Sequence, residues 1–138
     1  MARVTMTFPD EFEEKLARLG DKTDEIIPKV LKAGGEVVLG KVKSNLSGVL
    51  SGDSTGELQR SLGLSPAKLK RDGSGWDVKV GFAEPRSDGG SNAKIANVLE
   101  YGRHGQLPRP FVKPAKTKSK DAALAAMREK FESEVENI

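Results

Sequence analysis

The chain has 138 residues, of which 36% are hydrophobic and 31% charged, and its formal net charge at pH 7 is +3. This length suits one domain and leaves little room for a second. The absence of cysteine excludes disulfides and any cysteine-ligated zinc or iron–sulfur site, and no apolar segment approaches the length that crosses a membrane. We therefore expect one domain, residues 1–138, that is neither exported nor bound to a membrane.

Charge is unevenly distributed along the sequence. Between Glu100 and Asp121 every charged side chain is basic, whereas residues 10–14 and 129–136 are mainly acidic. The basic residues are Arg103, Arg109, Lys113, Lys116, Lys118 and Lys120. Such a run attracts nucleic acid or the acidic surface of another copy, although an ordinary solvated loop explains it equally well.

The first third of the chain predicts a strand followed by two helices. Residues 3–8 alternate between apolar and polar side chains, as in a strand, and residues 9–20 predict a short helix. The long helix that follows starts near Thr23, whose hydroxyl suits a cap. Because Pro28 disfavours a helix interior, the helix either starts as late as Ile27 or bends there. Its apolar stripe comprises Ile27, Leu31, Gly34, Val38, Val42 and Leu46.

Two features of this long helix and of the loop after it are informative. The Gly34–Gly35 pair lowers helix propensity by about 1 kcal/mol per residue, which predicts the close approach of another backbone. The glycine- and serine-rich loop at about 47–57 predicts a flexible segment. A second polar loop, at about 83–91, predicts the same.

The middle of the chain predicts a hairpin. Residues 61–70 form its first arm, Asp72 to Gly75 supply the turn, and residues 76–82 form a cleanly alternating second arm. The alternation predicts that one face of this arm packs on the long helix. That face carries Trp76, Val78, Val80 and Phe82.

The last third predicts two helices around an extended segment. Ser91 or Asn92 caps a helix that runs to Tyr101, with Ile95, Val98 and Leu99 inward and Gly102 as terminator. Residues 109–114 predict an edge strand or an extended segment, because prolines cannot donate to a sheet ladder. Ser119 then caps a final helix with the stripe Ala123, Met127, Phe131 and Val135. These elements predict an α+β fold, a small antiparallel or mixed sheet packed on one long helix with shorter helices and two flexible loops around it.

No residue pattern predicts catalysis or a bound cofactor. Residues 35–42 have the spacing of a phosphate-binding loop, but Val42 stands where magnesium needs a hydroxyl, and the segment is helix-forming. His104 is the only histidine, and no nucleophile or second ligand stands near it in the sequence. The acidic residues 10–14 suit a helix start. We therefore predict a protein that is not an enzyme and that has no cofactor and no metal.

Three segments together resemble one protein family. They are the helix V-L-K-A-G-G-E-V-V-L at 30–39, the pattern T-G-x-L-x-x-S-[IL] at 55–62, and I-A-N-V-L-E-Y-G at 95–102 followed by P-R-P-F-V-K-P-A at 108–115. They resemble the family typified by the tenth gene product of phage Hong Kong ninety-seven, tail components of long-tailed phages placed between the head connector and the tail tube. The order of elements matches over nearly the whole chain. The resemblance implies a structural role and brings no catalytic residues.

This resemblance leads to an assembly hypothesis. The chain is expected to form a homo-oligomeric ring, with six copies as one option, in the neck or upper tail of the virion. Assembly is expected in the bacterial cytoplasm, and a prophage is one possible source of the gene. Tail terminator, tail tube or head connector proteins are the expected partners, and DNA would pass through the ring without its sequence being read. The predicted interface comprises Arg103, Arg109, Phe111, Lys113 and Phe131. Two alternatives stay open: Phe111 is as well explained as a core residue, and the chain could be a small basic nucleic-acid-binding module.

Overall fold

A computed structural model describes residues 2–9, 20–50, 56–73 and 75–136. Its strands are β1 (Val4–Thr7), β2 (Leu62–Leu64), β3 (Lys68–Leu69) and β4 (Trp76–Phe82). Its helices are α1 (Thr23–Val49), which follows a 3₁₀ turn (Gly20–Lys22), α2 (Glu57–Ser61), α3 (Asn92–Tyr101) and α4 (Val112–Glu136). Residues 10–19 of the predicted short helix and residues 51–55 of the loop predicted at 47–57 lie outside the described residues. The described ends of that loop are shorter than predicted, because α1 continues to Val49 and α2 begins at Glu57.

The sheet is antiparallel and is built around β4. Val80 pairs with Val4 of β1 on one edge and with Leu64 of β2 on the other, and β3 continues the edge of β2 by pairing Leu69 with Trp76. The predicted hairpin is thus confirmed, but its first arm is two short strands separated by residues 65–67.

The alternation of β4 fixes which face of the sheet is buried. Val78 and Val80 are fully buried, and Trp76 and Phe82 are partly buried. Val78 belongs to a core cluster with Leu31 of α1, and Val80 belongs to a second cluster with Val38 and Val42. The α+β architecture, with a small sheet on one long helix, is therefore confirmed.

α1 starts at Thr23, as predicted, but the N-cap position is occupied by the residue before it. Lys22 occupies the N-cap without a side-chain cap bond, and Thr23 is the first helical residue. The helix then continues across Pro28, which lies in its second turn. Pro28 has no N–H, so the helix lacks one backbone hydrogen bond near its N-terminus. The negative charges of Asp24 and Glu25 interact favourably with the positive end of the helix dipole there.

Gly34 and Gly35 make close packing possible, but against side chains and not against another backbone. A Cβ on Gly34 would lie 2.6 Å from Cγ of Met127, and one on Gly35 would lie 2.6 Å from Cδ1 of Leu64. The pair therefore lets α4 and the sheet approach α1 from two directions. The predicted close approach to Gly34 and Gly35 is confirmed, but the approaching groups are side chains and not the predicted backbone.

We expect Gly34→Ala to destabilise the chain by about 1–2 kcal/mol. Overpacking against Met127 costs about 1–3 kcal/mol, which exceeds the gain of up to about 1 kcal/mol in helix propensity. The matched control is Gly40→Ala in the same helix, where a Cβ would meet nothing within 4 Å and the propensity gain should stand alone. Urea unfolding of both variants checks this, and equal stabilisation by the two substitutions would contradict it.

The last helix begins earlier than predicted. α4 starts at Val112, so the edge strand or extended segment predicted at residues 109–114 is wrong from that residue onward: Pro114 lies in the first turn of a helix, where a missing N–H costs nothing. Ser119 is no cap, because it is buried inside α4 and its hydroxyl donates to the Ala115 carbonyl at 2.6 Å. The predicted stripe is confirmed, with Ala123, Met127 and Phe131 buried and Val135 partly buried.

α4 runs antiparallel to α1. At one end the Asn45 side chain donates to the Phe111 carbonyl at 3.2 Å, and at the other end Lys29 lies 3.4 Å from Glu134. The C-terminal half of α1 therefore lies beside the N-terminal half of α4.

α3 starts and ends as predicted, and its buried face matches the prediction at Leu99 but not at Ile95. The Ser91 hydroxyl accepts a hydrogen bond from the Lys94 N–H, and Gly102 ends the helix with φ of 76°. Ile95, predicted to face inward, is 38% exposed. The buried residues of α3 are Asn92, Ala96, Leu99 and Glu100.

Candidate assembly surface

A buried carboxylate determines where α4 begins. Glu100 is only 4% exposed, and its Oε1 accepts hydrogen bonds from the N–H groups of Phe111 at 2.9 Å and Val112 at 2.8 Å. Its Oε2 accepts from the Lys113 N–H at 3.1 Å. A helix start leaves its first amides without partners, and the next residue, Pro114, has no N–H to satisfy. Glu100 therefore satisfies the whole first turn and ties α3 to α4.

The connection between these helices is a tightly bonded turn. Arg103 and Gln106 exchange two backbone hydrogen bonds, of 3.1 and 2.9 Å, and the Arg109 N–H donates to the Leu99 carbonyl at 2.6 Å. Gly102 has a positive φ, and a Cβ there would lie 2.8 Å from the Gln106 carbonyl oxygen. Residues 102–109 are therefore held in one shape by backbone contacts.

This turn presents apolar side chains to solvent. Leu107 is 84% exposed and Tyr101 is 62% exposed. On α3 and in the turn, a groove of about 550 Å³ is lined by Lys94, Ile95, Val98, Leu99, Arg103 and Gln106. We name the group Ile95, Val98, Tyr101 and Leu107 the apolar corner; its rim carries Lys94 and Arg103. Exposed apolar groups with a charged rim are typical of protein–protein contact sites.

The structure separates the five predicted interface residues into two groups. Arg103, Arg109 and Lys113 are exposed, and the Arg109 guanidinium donates to the Val49 carbonyl at 2.9 Å. Phe111 and Phe131 are buried within the chain, at 0% and 1% exposure. The docking-edge interpretation of Phe111 needs correction, because the side chain presents no surface to a partner; the core alternative describes its position. The apolar corner was not predicted, although Leu107 in a polar, basic segment was the available signal.

The antiparallel helices also separate charge in space. Lys41 and Lys43 of α1 lie toward the same end as Lys113, Lys116, Lys118 and Lys120 of α4, and we name these six residues the basic end. The opposite end carries Asp24 and Glu25 together with the acidic residues of 129–136. There Lys29 and Lys130 contact Glu134, and the Lys130 side-chain hydrogen bond is the main cause of its lowered pKa. The two ends of the helix pair thus differ in charge, and we name the second the acidic end, although it also carries Lys29 and Lys130.

Residues 10–102 of the chain match the family model described as "Bacteriophage HK97-gp10, putative tail-component". The chain belongs to the HK97-gp10-like family. The match covers α1, α2, α3 and the strands β2 to β4, and it ends at Gly102, the residue that begins the exposed turn. No curated protein sequence and no solved structure matches the chain significantly.

In this HK97-gp10-like chain the loop after β4 is anchored to α2. The Glu57 carboxylate accepts hydrogen bonds from the Ser87 N–H at 2.6 Å and from its hydroxyl at 2.9 Å, and the backbone bond is the main cause of its lowered pKa. Arg86 also approaches Glu57, at 3.6 Å. The flexibility expected of the two loops in solution stays a prediction.

The other features singled out in the sequence carry no site geometry. Residues 35–42 are all helical within α1, so their amides are engaged in helix bonds. His104 is exposed in the turn. Within the described residues, no three metal-ligating side chains come together, and none of the helices is long and apolar enough to cross a membrane.

Proposed function

We propose that this HK97-gp10-like chain is a structural, non-catalytic subunit that forms a ring at the head–tail junction of a phage. Family membership supports a structural role in the tail. The observation that carries the finer proposal is the apolar corner: Leu107, the most exposed large apolar residue of the described part of the chain, stands on a turn that backbone bonds hold in place.

The shape of the corner suits binding. Backbone bonds at Arg103, Gln106 and Arg109 flank Leu107, so ordering the backbone costs little when a partner binds. Burying the leucine side chain contributes about 1.5–3 kcal/mol. Tyr101 and Arg103 beside it are residue types enriched in interface centres. The corner therefore offers a compact, preorganised contact.

The occupant we propose is a second copy of this chain. The basic rim, Lys94 and Arg103, complements the acidic end of a neighbour, where Glu129, Glu132 and Glu136 are exposed. Because the corner and the acidic end are different surfaces, this contact is head-to-tail, and head-to-tail contacts that close give rings. Six copies is the ring order we favour, with tail terminator, tail tube or head connector proteins above and below, in a virion assembled in the host cytoplasm. The gene can also belong to a prophage, a phage genome integrated into that of its bacterial host.

A basic nucleic-acid-binding module is the second candidate function. The observation that favours it is the basic end, where six lysines of α1 and α4 lie toward the same end of the helix pair.

Leu107→Glu is expected to weaken self-association about 10–100-fold while the circular dichroism spectrum stays unchanged. The substitution puts a charge at the centre of the contact, and losses at such anchors are typically 2 kcal/mol or about 30-fold. Sedimentation velocity over a range of concentrations measures it. Leu69→Glu is the matched control, since Leu69 is 55% exposed at the sheet edge, away from the corner. Assembly of Leu107→Glu at wild-type concentrations would place the contact elsewhere.

A further inference from the structure

The basic end contains a row of lysines on one side of α4. Lys113, Lys116 and Lys120 are spaced i, i+3 and i+7, so they share a side of the helix and span about 10 Å along its axis. All three are exposed, and within the described residues none of them forms an ion pair. We name these three residues the lysine row. Lys41 and Lys43 of α1 add positive charge at the same end of the molecule.

The lysine row begins at the N-terminus of α4, where positive charge is unfavourable. The first turn of a helix is the positive end of its dipole, and Lys113 and Lys116 lie in or next to it. Glu100 places one negative charge there, but it is buried and engaged with three backbone amides. The lysines therefore do not serve the stability of α4, in contrast to Asp24 and Glu25, which suit the start of α1. Their placement points to a partner outside the chain.

We infer that the basic end binds the phosphate backbone of double-stranded DNA. Duplex DNA carries one negative charge per about 1.7 Å of axis, so a lysine row about 10 Å long faces several phosphates. The rival occupant, the acidic end of another copy, is a weaker match. Residues 128–136 hold four acidic and two basic side chains, a net charge of only −2, and Glu134 already contacts Lys29 and Lys130.

The same surface argues against recognition of single strands or of base sequence. No aromatic side chain is interleaved with the lysine row, and base stacking is what single-strand binding needs. Contacts to phosphates alone carry no sequence information. The expected binding is therefore independent of sequence, selective for duplex and strongly weakened by salt. It does not depend on ring formation, because each subunit carries the whole surface.

Fluorescence anisotropy with a labelled 24-base-pair duplex of random sequence tests the assignment. We expect the wild-type chain to bind with a dissociation constant of about 10⁻⁴ to 10⁻⁶ M, as non-specific DNA binding does at physiological salt. The variant Lys113→Gln/Lys116→Gln/Lys120→Gln should bind at least tenfold more weakly at 50 mM salt. Its slope of log affinity against log salt should be shallower by about 2.7, since each phosphate contact contributes about 0.9.

The matched control is Lys32→Gln/Lys68→Gln/Arg71→Gln. Both triple variants lower the formal net charge from +3 to 0, but the control removes exposed charges away from the lysine row. Equal losses in the two variants would mean that overall charge and not the lysine row binds DNA, which would overturn the assignment. Absence of duplex binding by the wild type, or tighter binding of a single strand of equal length, would overturn it too.

Repeating the measurement in the Leu107→Glu background separates this inference from the proposed ring. Wild-type duplex affinity in that background supports binding by a single subunit. If the lysine-row variant instead loses self-association while no DNA binding is found, the basic end contacts another copy and the inference is wrong.

Discussion

Replacing Phe111 by alanine is expected to lower the free energy of unfolding by about 3–5 kcal/mol, the cost of truncating a large buried aromatic residue. Phe111 has no exposed surface and lies edge-on to Phe82 of β4, with ring centroids 6.2 Å apart. It precedes the first residue of α4 and belongs to the core cluster that contains Val38 and Val42. Its loss would open a cavity where the last helix meets the sheet. Guanidinium unfolding followed by tryptophan fluorescence measures the change.

Phe111→Asp is expected to prevent folding altogether. The carboxylate would be buried within the core beside the charged Glu100, and an unpaired buried charge costs more than most domains of this size have in stability. Tyr101→Ala is the matched control, because Tyr101 is a neighbouring aromatic residue that is 62% exposed, and it should change stability by less than about 0.5 kcal/mol. A folded Phe111→Asp chain would show that this side chain lies outside the core.

Replacing Glu100 by alanine is expected to lower the free energy of unfolding by about 3–6 kcal/mol. The substitution leaves the N–H groups of Phe111, Val112 and Lys113 without their acceptor, and a buried donor without a partner costs about 1–3 kcal/mol. Loss of a negative charge at the positive end of the α4 dipole adds to this. Hydrogen exchange should show the first turn of α4 opening before the rest of the helix.

Glu100→Gln should lower the free energy of unfolding less than Glu100→Ala does. The glutamine side chain keeps one acceptor oxygen for the backbone amides, although its NH₂ group faces a backbone donor. Glu132→Ala serves as the surface control, since Glu132 is exposed on α4 and should give a change within about 0.5 kcal/mol. If Glu100→Ala were as mild as Glu132→Ala, water or another group would have to satisfy the three amides.

Elements whose pattern is local were predictable from the sequence. The alternation of β4, the cap and terminator of α3 and the apolar stripes of α1 and α4 all follow from side chains that are neighbours in sequence. Each of these patterns matches the period of the structure that it forms. They were enough to predict the α+β architecture.

The start of α4 could not be predicted because it depends on a distant residue. The prolines at 110 and 114 were interpreted as marks of an edge strand or extended segment, whereas the acceptor for the first turn is Glu100, eleven residues before Phe111. The position of Pro114 was the overlooked signal, since proline is tolerated in the first turn of a helix. Likewise, the burial of Phe111 and the side chains facing Gly34 and Gly35 follow from how α4 packs on α1, which periodicity does not reveal.

Of the candidate site, only the exposed basic residues could be predicted from the sequence. Arg103, Arg109 and Lys113 were found from the basic run, and all three are exposed. The apolar corner arises because Gly102 ends α3 and backbone bonds then turn the chain outward, so that Leu107 points away from the core. The polar, basic surroundings of Leu107 in the sequence were the one local signal for its exposure, and the path of the turn is not visible in the sequence.

The position of α4 in the chain has a consequence for synthesis on the ribosome. α1, the sheet and α3 all leave the ribosome before α4, which supplies Ala115, Met127 and Phe131 to the core, and before Phe111, the core residue that precedes it. Until then the apolar face of α1 lacks its principal partner, and nascent chains with such uncovered surfaces tend to aggregate or bind chaperones. A messenger cut short after the codon for Gly102 would encode the whole family-matched segment and still give a product that cannot close its core. Folding of this protein is therefore expected to be completed late, when its final helix emerges.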